Sequence, residues 1–529
     1  MRRGRNMEWQ KNTAVSRKRK GLIMTKNKMT SAWREYEAGK EYKRRIGLYE
    51  TIRQNERFYR GEQWTGDGAD LPKPVFNFIR RIIDYLVASI SLTNVSVRYT
   101  DESLPFIKNT AVATAVRNGI EAMNKNLLYR WERTKMDSLI RNILLDAAIT
   151  GDGVLYSYWD PDIPTGQPYT GDIVTGTVDN VNFFVSDVNN TDIQSQEYII
   201  LSGRKSVKSL REEAKRAGLS PSDIAKISGD TDTEDGSADM SSIELSGDEE
   251  NKATYLIKFW KENGFVVWEK STRDCIIKRC TTECRLYPVA YFRWIETKGS
   301  FHGTSPITGL IPNQRFINRA YAMVMKHMTD SAFSKVIYDK SKIPEWTNEI
   351  GQAIGAVGGG NVADAVSVVG VGEMQSGYLD LIDSAITVTK ELMGATDVAM
   401  GNVNPVNTSA ILALQEVSEI PIRKIRDTLY QCVEDMANIW ADMMCAYYAK
   451  GRLLSYDVDG NIMTEAVDYS LFKHSLIHAH VEVGAVSKYS VIASLSMLDK
   501  LLEGGYITFD EYLERIPDNL IVDKKGLMK

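Results

Sequence analysis

Cysteines and long apolar runs are scarce in this sequence. No stretch of eighteen uninterrupted apolar residues occurs, and the best candidate, residues 350–372, contains seven glycines. We therefore predict no membrane span. Five cysteines in 529 residues, without regular spacing, provide no disulfide framework, which favours a reducing compartment. The basic N-terminus has no apolar run behind it, so we predict no secretory signal.

The signature motifs of common enzymes are also missing. Neither G-x4-G-K-[ST], typical of ATP-driven motors, nor H-E-x-x-H or G-x-S-x-G occurs. The spacing C-x4-C-x3-C of Cys275, Cys280 and Cys284 lacks a fourth ligand nearby, and the spacing H-x3-H-x-H of the histidines at 474, 478 and 480 is more typical of packing or surface positions than of a metal site. We predict a protein without enzymatic activity, metal or cofactor.

Charge is distributed unevenly along the chain. Residues 1–28 contain ten Lys or Arg and one acid, a net charge of +9, so the rest of the chain sums to −13 (−4 minus +9). A fold that grips DNA tightly needs a basic body, so we predict at most weak, sequence-independent contact with double-stranded DNA. The basic arm has three interpretations: a solvated flexible tail, a contact with nucleic acid or a scaffold, or an upstream extension before a start at Met24 or Met29.

Residue periodicity predicts a chain that is mostly helical with short strands. In the first half we predict an exposed helix over 30–60 that stops at Gly61, a helix over 75–90, and one long helix over 108–150. Predicted strands cover 154–159, 181–185 and a meander at 255–259, 264–268 and 275–278. Residues 229–251 carry nine acids and no base, which predicts a disordered surface loop.

Long helices dominate the second half of the chain. The predicted helices cover 306–333, 376–398 and 408–450, and the predicted strands cover 335–338 and 366–371. A turn-rich loop at 401–407 precedes the last helix. Pro421 lies inside that helix, where it removes a backbone hydrogen bond and clashes with the preceding turn, so we predict a kink there.

Four sets of residue strings, in this order, resemble the portal proteins of tailed bacteriophages over roughly residues 30–515. They are Asn55–Trp64 with Pro74–Ile90; Tyr287–Phe292 with Phe301–Ile307 and Leu310–Asn318; Gly394–Gly401 leading into Asn407–Ala410; and Gly504–Tyr512 with Ile516 and Pro517. The resemblance implies an α+β, mostly α, portal fold that assembles as a cyclic ring of twelve subunits.

The resemblance also implies how the chain is divided. The implied regions are a basic flexible arm (1–29), wing (30–305), first stem helix (306–333), small α/β clip (334–375), second stem helix (376–399), tunnel loop (400–408), kinked wing helix (408–450) and helical crown with the C-terminal region (451–529).

By the same resemblance, the protein is a DNA conduit at one capsid vertex of the virion, assembled in the cytoplasm of the host bacterium. The implied partners are the terminase large subunit during packaging, head-tail adaptor proteins afterwards, and the major capsid and scaffolding proteins. An acidic body suits a conduit, because phosphates that are repelled slide through and out on ejection.

Three groups of residues are candidates for contact with DNA or a neighbouring subunit. Asp380, Asp383 and Lys390 share a face of the second stem helix, and Asn402, Asn404 and Asn407 lie in the tunnel loop; both groups are predicted to line the DNA channel. Arg315, Arg319 and Lys326 share a face of the first stem helix and are predicted to contact a subunit or the channel. The alternatives are solvated helix faces and, for the asparagines, turn formation.

Two other functions remain open. Another oligomeric head-tail adaptor is one, but the three long late helices favour a portal. A DNA-processing nuclease is the other, and the sequence contains no convergent set of carboxylates or histidines that favours it.

Overall fold

The computed structural model describes most of the chain between residues 29 and 516. The described ranges are 29–64, 71–91, 95–167, 169–230, 251–332, 335–347, 354–359, 361–369, 377–395, 408–448, 452–458, 461–469, 472, 477–483 and 488–516. They combine helices with antiparallel strands, which confirms the α+β class.

Helices account for most of the regular structure. They are α1 (Ser31–Arg45), α2 (Leu48–Arg60), α3 (Phe78–Ser91), α4 (Thr110–Thr134), α5 (Met136–Thr150), α6 (Val207–Arg216), α7 (Pro221–Ile224), α8 (Pro306–Ala332), α9 (Gly377–Leu392), α10 (Thr408–Tyr447), α11 (Lys488–Glu503) and α12 (Phe509–Arg515). Three short 3-10 helices cover Leu104–Phe106, Asn180–Asn182 and Val362–Ala365.

The strands form five antiparallel sheets within the described residues. They are β1 (Val95–Asp101), β2 (Asp152–Asp160), β3 (Asp172–Val178), β4 (Phe183–Val185), β5 (Tyr198–Ser206), β6 (Lys252–Glu262), β7 (Phe265–Ser271), β8 (Ile276–Thr281), β9 (Val289–Arg293), β10 (Lys335–Tyr338), β11 (Val366–Val369), β12 (Arg452–Val458), β13 (Asn461–Val467) and β14 (Ile477–Val483). The strand orders are β4-β5-β6-β7-β8, β3-β2-β9, β1-β14, β10-β11 and β12-β13.

The prediction of one exposed helix over 30–60 is wrong in two respects. Gly47 takes a left-handed conformation with φ +70° and separates α1 from α2, while Gly61 ends α2 as predicted with φ +95°. One face of α1 is buried, because Trp33 and Tyr36 pack with Phe184 of β4. Tyr36 and Phe184 meet edge to face with ring centroids 5.0 Å apart.

The predicted long helix over 108–150 is likewise two helices. Lys135 has φ +54° and stands between α4 and α5. A left-handed lysine ends a helix as a glycine does but gives no sign in the sequence. The stop at Gly151, with φ +97°, agrees with the prediction.

The predicted meander is confirmed, because β6, β7 and β8 are consecutive neighbours in the five-stranded sheet. Residues 231–250, the bulk of the predicted acidic loop, lie outside the described residues. The predicted loop is too long at its start, since Asp230 pairs with Arg204 of β5 (Oδ1 to Nη1, 2.9 Å) and accepts from the Thr254 amide (2.8 Å).

The second half agrees with the predicted helices and strands up to the end of α10, but the prediction of a helical crown over 451–529 is wrong for its first part, which forms β12, β13 and β14. Helices α8 and α10 and strand β10 match their predicted ranges to within three residues, whereas α9 ends at Leu392 rather than near 398. The predicted apolar stripe of α10 is buried from Leu429 to Met443 against β2, β9 and β14. Trp440 lies at its centre and donates to Thr175 Oγ1 (2.9 Å). Pro421 lies within the helix.

A buried lysine attaches α1 to the sheets. Lys43 is 1% exposed, and its Nζ donates to the carbonyls of Asn180 (2.5 Å) and Phe183 (2.6 Å). Burial lowers the pKa of Lys43 to about 7, although the carboxylates of Asp152 and Asp179 act in the opposite direction.

This lysine predicts a pH dependence of stability. Between pH 7 and 9 the unfolded chain keeps a proton on Lys43 that the folded chain releases, so the free energy of unfolding rises with pH, by about 2 kcal/mol from this group. In Lys43→Met that increment disappears, while the hydrogen bonds lost are the same at both pH values. Urea unfolding of both proteins at pH 7 and pH 9 measures it. Parallel changes in the two proteins would contradict the assignment.

Candidate assembly surface and channel wall

A buried network of amide side chains fixes the start of α8. Gln314 and Asn318 lie on one face of this helix and are 0% and 3% exposed. Gln314 Nε2 donates to the Phe76 carbonyl (2.8 Å) and to Asn318 Oδ1 (2.9 Å), and its Oε1 accepts from the Ile79 amide (3.3 Å). Helix α8 is thereby bonded to the first turn of α3.

The network continues into the segments that follow α2 and precede α3. Asn318 Nδ2 donates to Gln63 Oε1 (2.7 Å), and Gln63 Nε2 donates to Asn77 Oδ1 and to the Phe58 carbonyl (both 3.1 Å). Asn77 Nδ2 closes the chain of bonds at the Tyr59 carbonyl (2.9 Å). Buried amides bonded to one another in this way hold the three segments in one relative orientation.

After this amide network, the side chains of α8 become increasingly exposed to solvent. Its last buried residue is Ala322, ten residues before its end. Phe316, Met323 and Met328 are 45%, 59% and 61% exposed. Methionines are common on surfaces that adapt to a partner.

Helix α9 packs against α8 with only one narrow face. Its buried residues are Ile382 and Thr389, and Thr389 Oγ1 accepts from Asn313 Nδ2 of α8 (3.0 Å). A second face carries Leu381, Val388 and Leu392, which are 54%, 49% and 73% exposed. We call these three residues, together with Phe316 and Met323, which share one face of α8, the apolar helix surface.

A third face of α9 carries the predicted channel residues. At 3.6 residues per turn, Asp380 and Asp383 lie one turn apart, away from the face that packs on α8, and both are exposed. Lys390, two turns later on the same side, is half-buried. The structure thus brings the three residues onto one side of α9, as the sequence predicted.

The basic residues of α8 are not equivalent. Arg315 is exposed, but its guanidinium carbon lies 5.1 Å from the ring centre of Phe58 in α2, so it already contacts its own chain. Arg319 is exposed and Lys326 half-buried further along α8. Asn402, Asn404 and Asn407 lie outside the described residues.

The other candidate ligands do not converge where they are described. Cys275, Cys280 and Cys284 are free thiols, and burial raises the pKa of Cys284 to about 12. His480 pairs with Glu434 (Nδ1 to Oε1, 3.2 Å) and His474 is not described. The described part of the chain contains no group of three or more His, Cys, Asp or Glu suited to a metal ion, and none of its helices is long and apolar enough to cross a membrane.

The amide network was not predicted from the sequence, although the strings that carry the family resemblance contain its residues. Gln63, Asn77, Gln314 and Asn318 all lie in or beside the strings that carry the family resemblance. Polar residues in a helical pattern are normally assigned to the solvated face, so their burial was not anticipated. The signal available was the group of three amides, Asn313, Gln314 and Asn318, in one of those strings.

Comparison with known proteins gives one family match. The family described as Phage P22-like portal protein matches residues 260–463, from the end of β6 to β13, including α8, α9 and α10. No curated protein matches the chain. The resemblance to portal proteins is thereby confirmed over this part of the sequence.

The network predicts a large effect of one substitution. Gln314→Ala leaves the Phe76 carbonyl, the Ile79 amide and Asn318 Oδ1 without their partner, which lowers the free energy of unfolding by about 3 kcal/mol. Gln431→Ala, at an exposed position of α10, is the matched control and changes it by less than about 0.5 kcal/mol. Urea unfolding of the unassembled chain compares them. Equal, small effects would show that the network does not hold α8.

Proposed function

We propose that this phage portal protein forms a closed ring at one vertex of the capsid and conducts double-stranded DNA through its centre. The observation that carries the proposal is the apolar helix surface, which a lone chain leaves in water. The family match supports a structural role in the virion. The finer parts of the proposal, ring closure and DNA passage, rest on the physical arguments below.

Ring closure needs one interface that is repeated from copy to copy. Soluble monomers rarely expose contiguous apolar patches of more than a few hundred Å², and each Å² buried contributes about 25 cal/mol. Leu381 and Leu392 of one copy, packed against Phe316 and Met323 of the next, would remove such a surface from water. A head-to-tail contact of this kind closes into a ring when its rotation fits a whole number of copies, and the family resemblance implies twelve.

The acidic face of α9 then points to the channel. If the apolar face meets the neighbouring copy and the narrow face meets α8, the face with Asp380 and Asp383 is left for the interior, with Lys390 beside it. Carboxylates repel phosphates and keep DNA contact weak, as transport requires. The loop with Asn402, Asn404 and Asn407 offers uncharged partners for brief phosphate contacts. Arg319 and Lys326 are proposed to contact the neighbouring copy.

The rest of the chain is assigned by family position. We propose 30–305 as wing, 334–375 as clip and 451–529 as crown, with α8 and α9 as the stem and α10 as the kinked wing helix. The terminase large subunit would dock during packaging and head-tail adaptors afterwards. Capsid and scaffolding proteins would meet the wing, and assembly would take place in the host cytoplasm.

Ring formation is tested by a charge placed in the proposed interface. Leu381→Glu is expected to abolish rings, because each interface would bury an unpaired carboxylate. Leu128→Glu on α4, where the leucine is 70% exposed, is the matched control and should assemble like the unaltered protein. Mass photometry and negative-stain imaging count the rings. A normal yield of rings from Leu381→Glu would refute the interface.

The channel assignment is tested by reversing its charge. Asp380→Lys with Asp383→Lys should assemble normally but bind linear duplex DNA about tenfold more tightly at low salt, with a steeper loss of affinity as salt rises. The control carries the same change of charge on the outside of the wing, Glu121→Lys with Glu132→Lys, both exposed on α4. Filter binding at several salt concentrations compares the rings. If the control tightens binding equally, α9 does not line the channel.

A further inference from the structure

Three arginines surround one carboxylate in a cavity of about 330 Å³. Arg130 and Arg133 extend from α4, Arg452 begins β12, and Asp172 begins β3. Asp172 is the only acid among the described residues that line the cavity. The lining therefore carries a net charge of +2 (three guanidiniums minus one carboxylate).

Asp172 balances only one of the three guanidinium charges, and its hydrogen bonds are concentrated on Oδ1. Its Oδ1 accepts from Arg130 Nη2 (2.9 Å), the Tyr448 hydroxyl (2.8 Å) and the Ile173 amide (2.8 Å). Arg133 Nη1 lies 3.5 Å from Oδ2 and Arg452 Nη2 lies 3.7 Å from Oδ1, both too far for good hydrogen bonds. Burial by itself would raise the pKa of Asp172, but Arg130 and the Tyr448 hydroxyl lower it overall.

One of the arginines keeps a buried donor without a hydrogen-bonding partner among the described residues, and a second is buried without a close carboxylate. Arg130 is 8% exposed, and its Nε is buried and makes no hydrogen bond with the described residues. Arg452 is 5% exposed. Its guanidinium carbon lies 3.8 Å from the centre of the Tyr448 ring, and no described residue accepts a hydrogen bond from it. A buried charge without a hydrogen-bonding partner is unfavourable.

We propose that this cavity binds a small tetrahedral oxyanion of the phosphate type. Such an ion would neutralise the excess charge and accept from several guanidiniums at once, the arrangement in which arginine binds phosphate best. The cavity is at the small end of ligand pockets, which span about 300–1,000 Å³. Arg130 and Arg452 lie too deep for the backbone of a duplex, so the source is a free ion rather than DNA.

The bound ion would connect parts of the chain that are distant in sequence. Helix α4 packs against β12, and Gln167 bonds to both backbone groups of Leu453, donating to its carbonyl at 2.9 Å and accepting from its amide at 3.1 Å. An ion bridging Arg133 and Arg452 would strengthen the same junction. The site depends on no part of the proposed ring or channel.

The site is tested by thermal unfolding of the full-length protein in rising inorganic phosphate, with ionic strength held constant by sodium chloride. A ligand that binds only the folded state raises the melting temperature in a saturable way. Arg133 is 50% exposed in its side chain, so Arg133→Gln should fold, yet require about tenfold more phosphate for the same shift. Arg279→Gln is the matched control, since Arg279 is 54% exposed and paired to Glu262 on the five-stranded sheet.

Isothermal titration with phosphate provides the second measurement, and Arg452→Gln should reduce the affinity there as well. Equal stabilisation of all the proteins would be the general effect of phosphate on folded chains and would overturn the proposal. Displacement of phosphate by a blunt-ended DNA duplex would overturn the assignment to a free ion. The expected result is that phosphate stabilises Arg279→Gln in a saturable way. The same stabilisation should require more phosphate in Arg133→Gln, and a DNA duplex should not change it.

Discussion

The buried amide network at the start of α8 is the constraint on which the rest of this structure depends. Apolar side chains tolerate small slides and rotations of one helix on another, because most contacts that are lost are replaced by similar ones. Amides do not, since a rotation of α8 by one residue would remove Gln314 from the Phe76 carbonyl and the Ile79 amide and leave these groups buried without partners. The network therefore selects one azimuth and one axial position for α8 against α2 and α3. The orientation of α8 therefore determines which faces of α8 and α9 reach solvent and can meet a neighbouring copy.

This constraint is what a ring requires of its subunits. A small error in the angle between copies accumulates around a closed ring, so the elements that form the interface must be rigid relative to the body. In α8 the buried, hydrogen-bonded half precedes the exposed half within one continuous helix, so the orientation set at Gln314 is transmitted along the backbone to Met323 and Met328. Helix α9 depends on α8 in turn, because its buried contacts are confined to the face with Ile382 and Thr389.

The sequence predicted local features well and distant ones poorly, for physical reasons. The bounds of α8, the apolar stripe of α10 and the β6-β7-β8 meander follow from periodicity and neighbouring turns, which are local. The break at Lys135 has no local signal, since a left-handed lysine is imposed by the packing of α4 and α5. The burial of α1 depends on Phe184, about 150 residues away in the sequence. The residues of α8 in the amide network are separated from their partners by about 250 residues. Asp380, Asp383 and Lys390 were placed on one side of a helix correctly because helical spacing alone decides that. The sequence did not show which face of α9 packs against α8 and which faces remain exposed, because that depends on the position of α8.

A chain that is acidic overall and yet encloses a cationic cavity is consistent with its proposed roles. Exposed charges act on a duplex only over about a Debye length, roughly 8–10 Å at physiological salt, so DNA in a channel responds to the nearest exposed residues and not to the sum over the chain. Arg130 of α4 and Arg452 of β12 are buried, and we propose that a small ion reaches their donors whereas a duplex does not. Under these proposals the same phosphate chemistry meets two different surfaces: carboxylates in the channel, where a polymer would slide, and buried guanidiniums, where a free ion would be held. The two surfaces differ in how deeply their charged side chains are buried, and the net charge of the chain does not distinguish them.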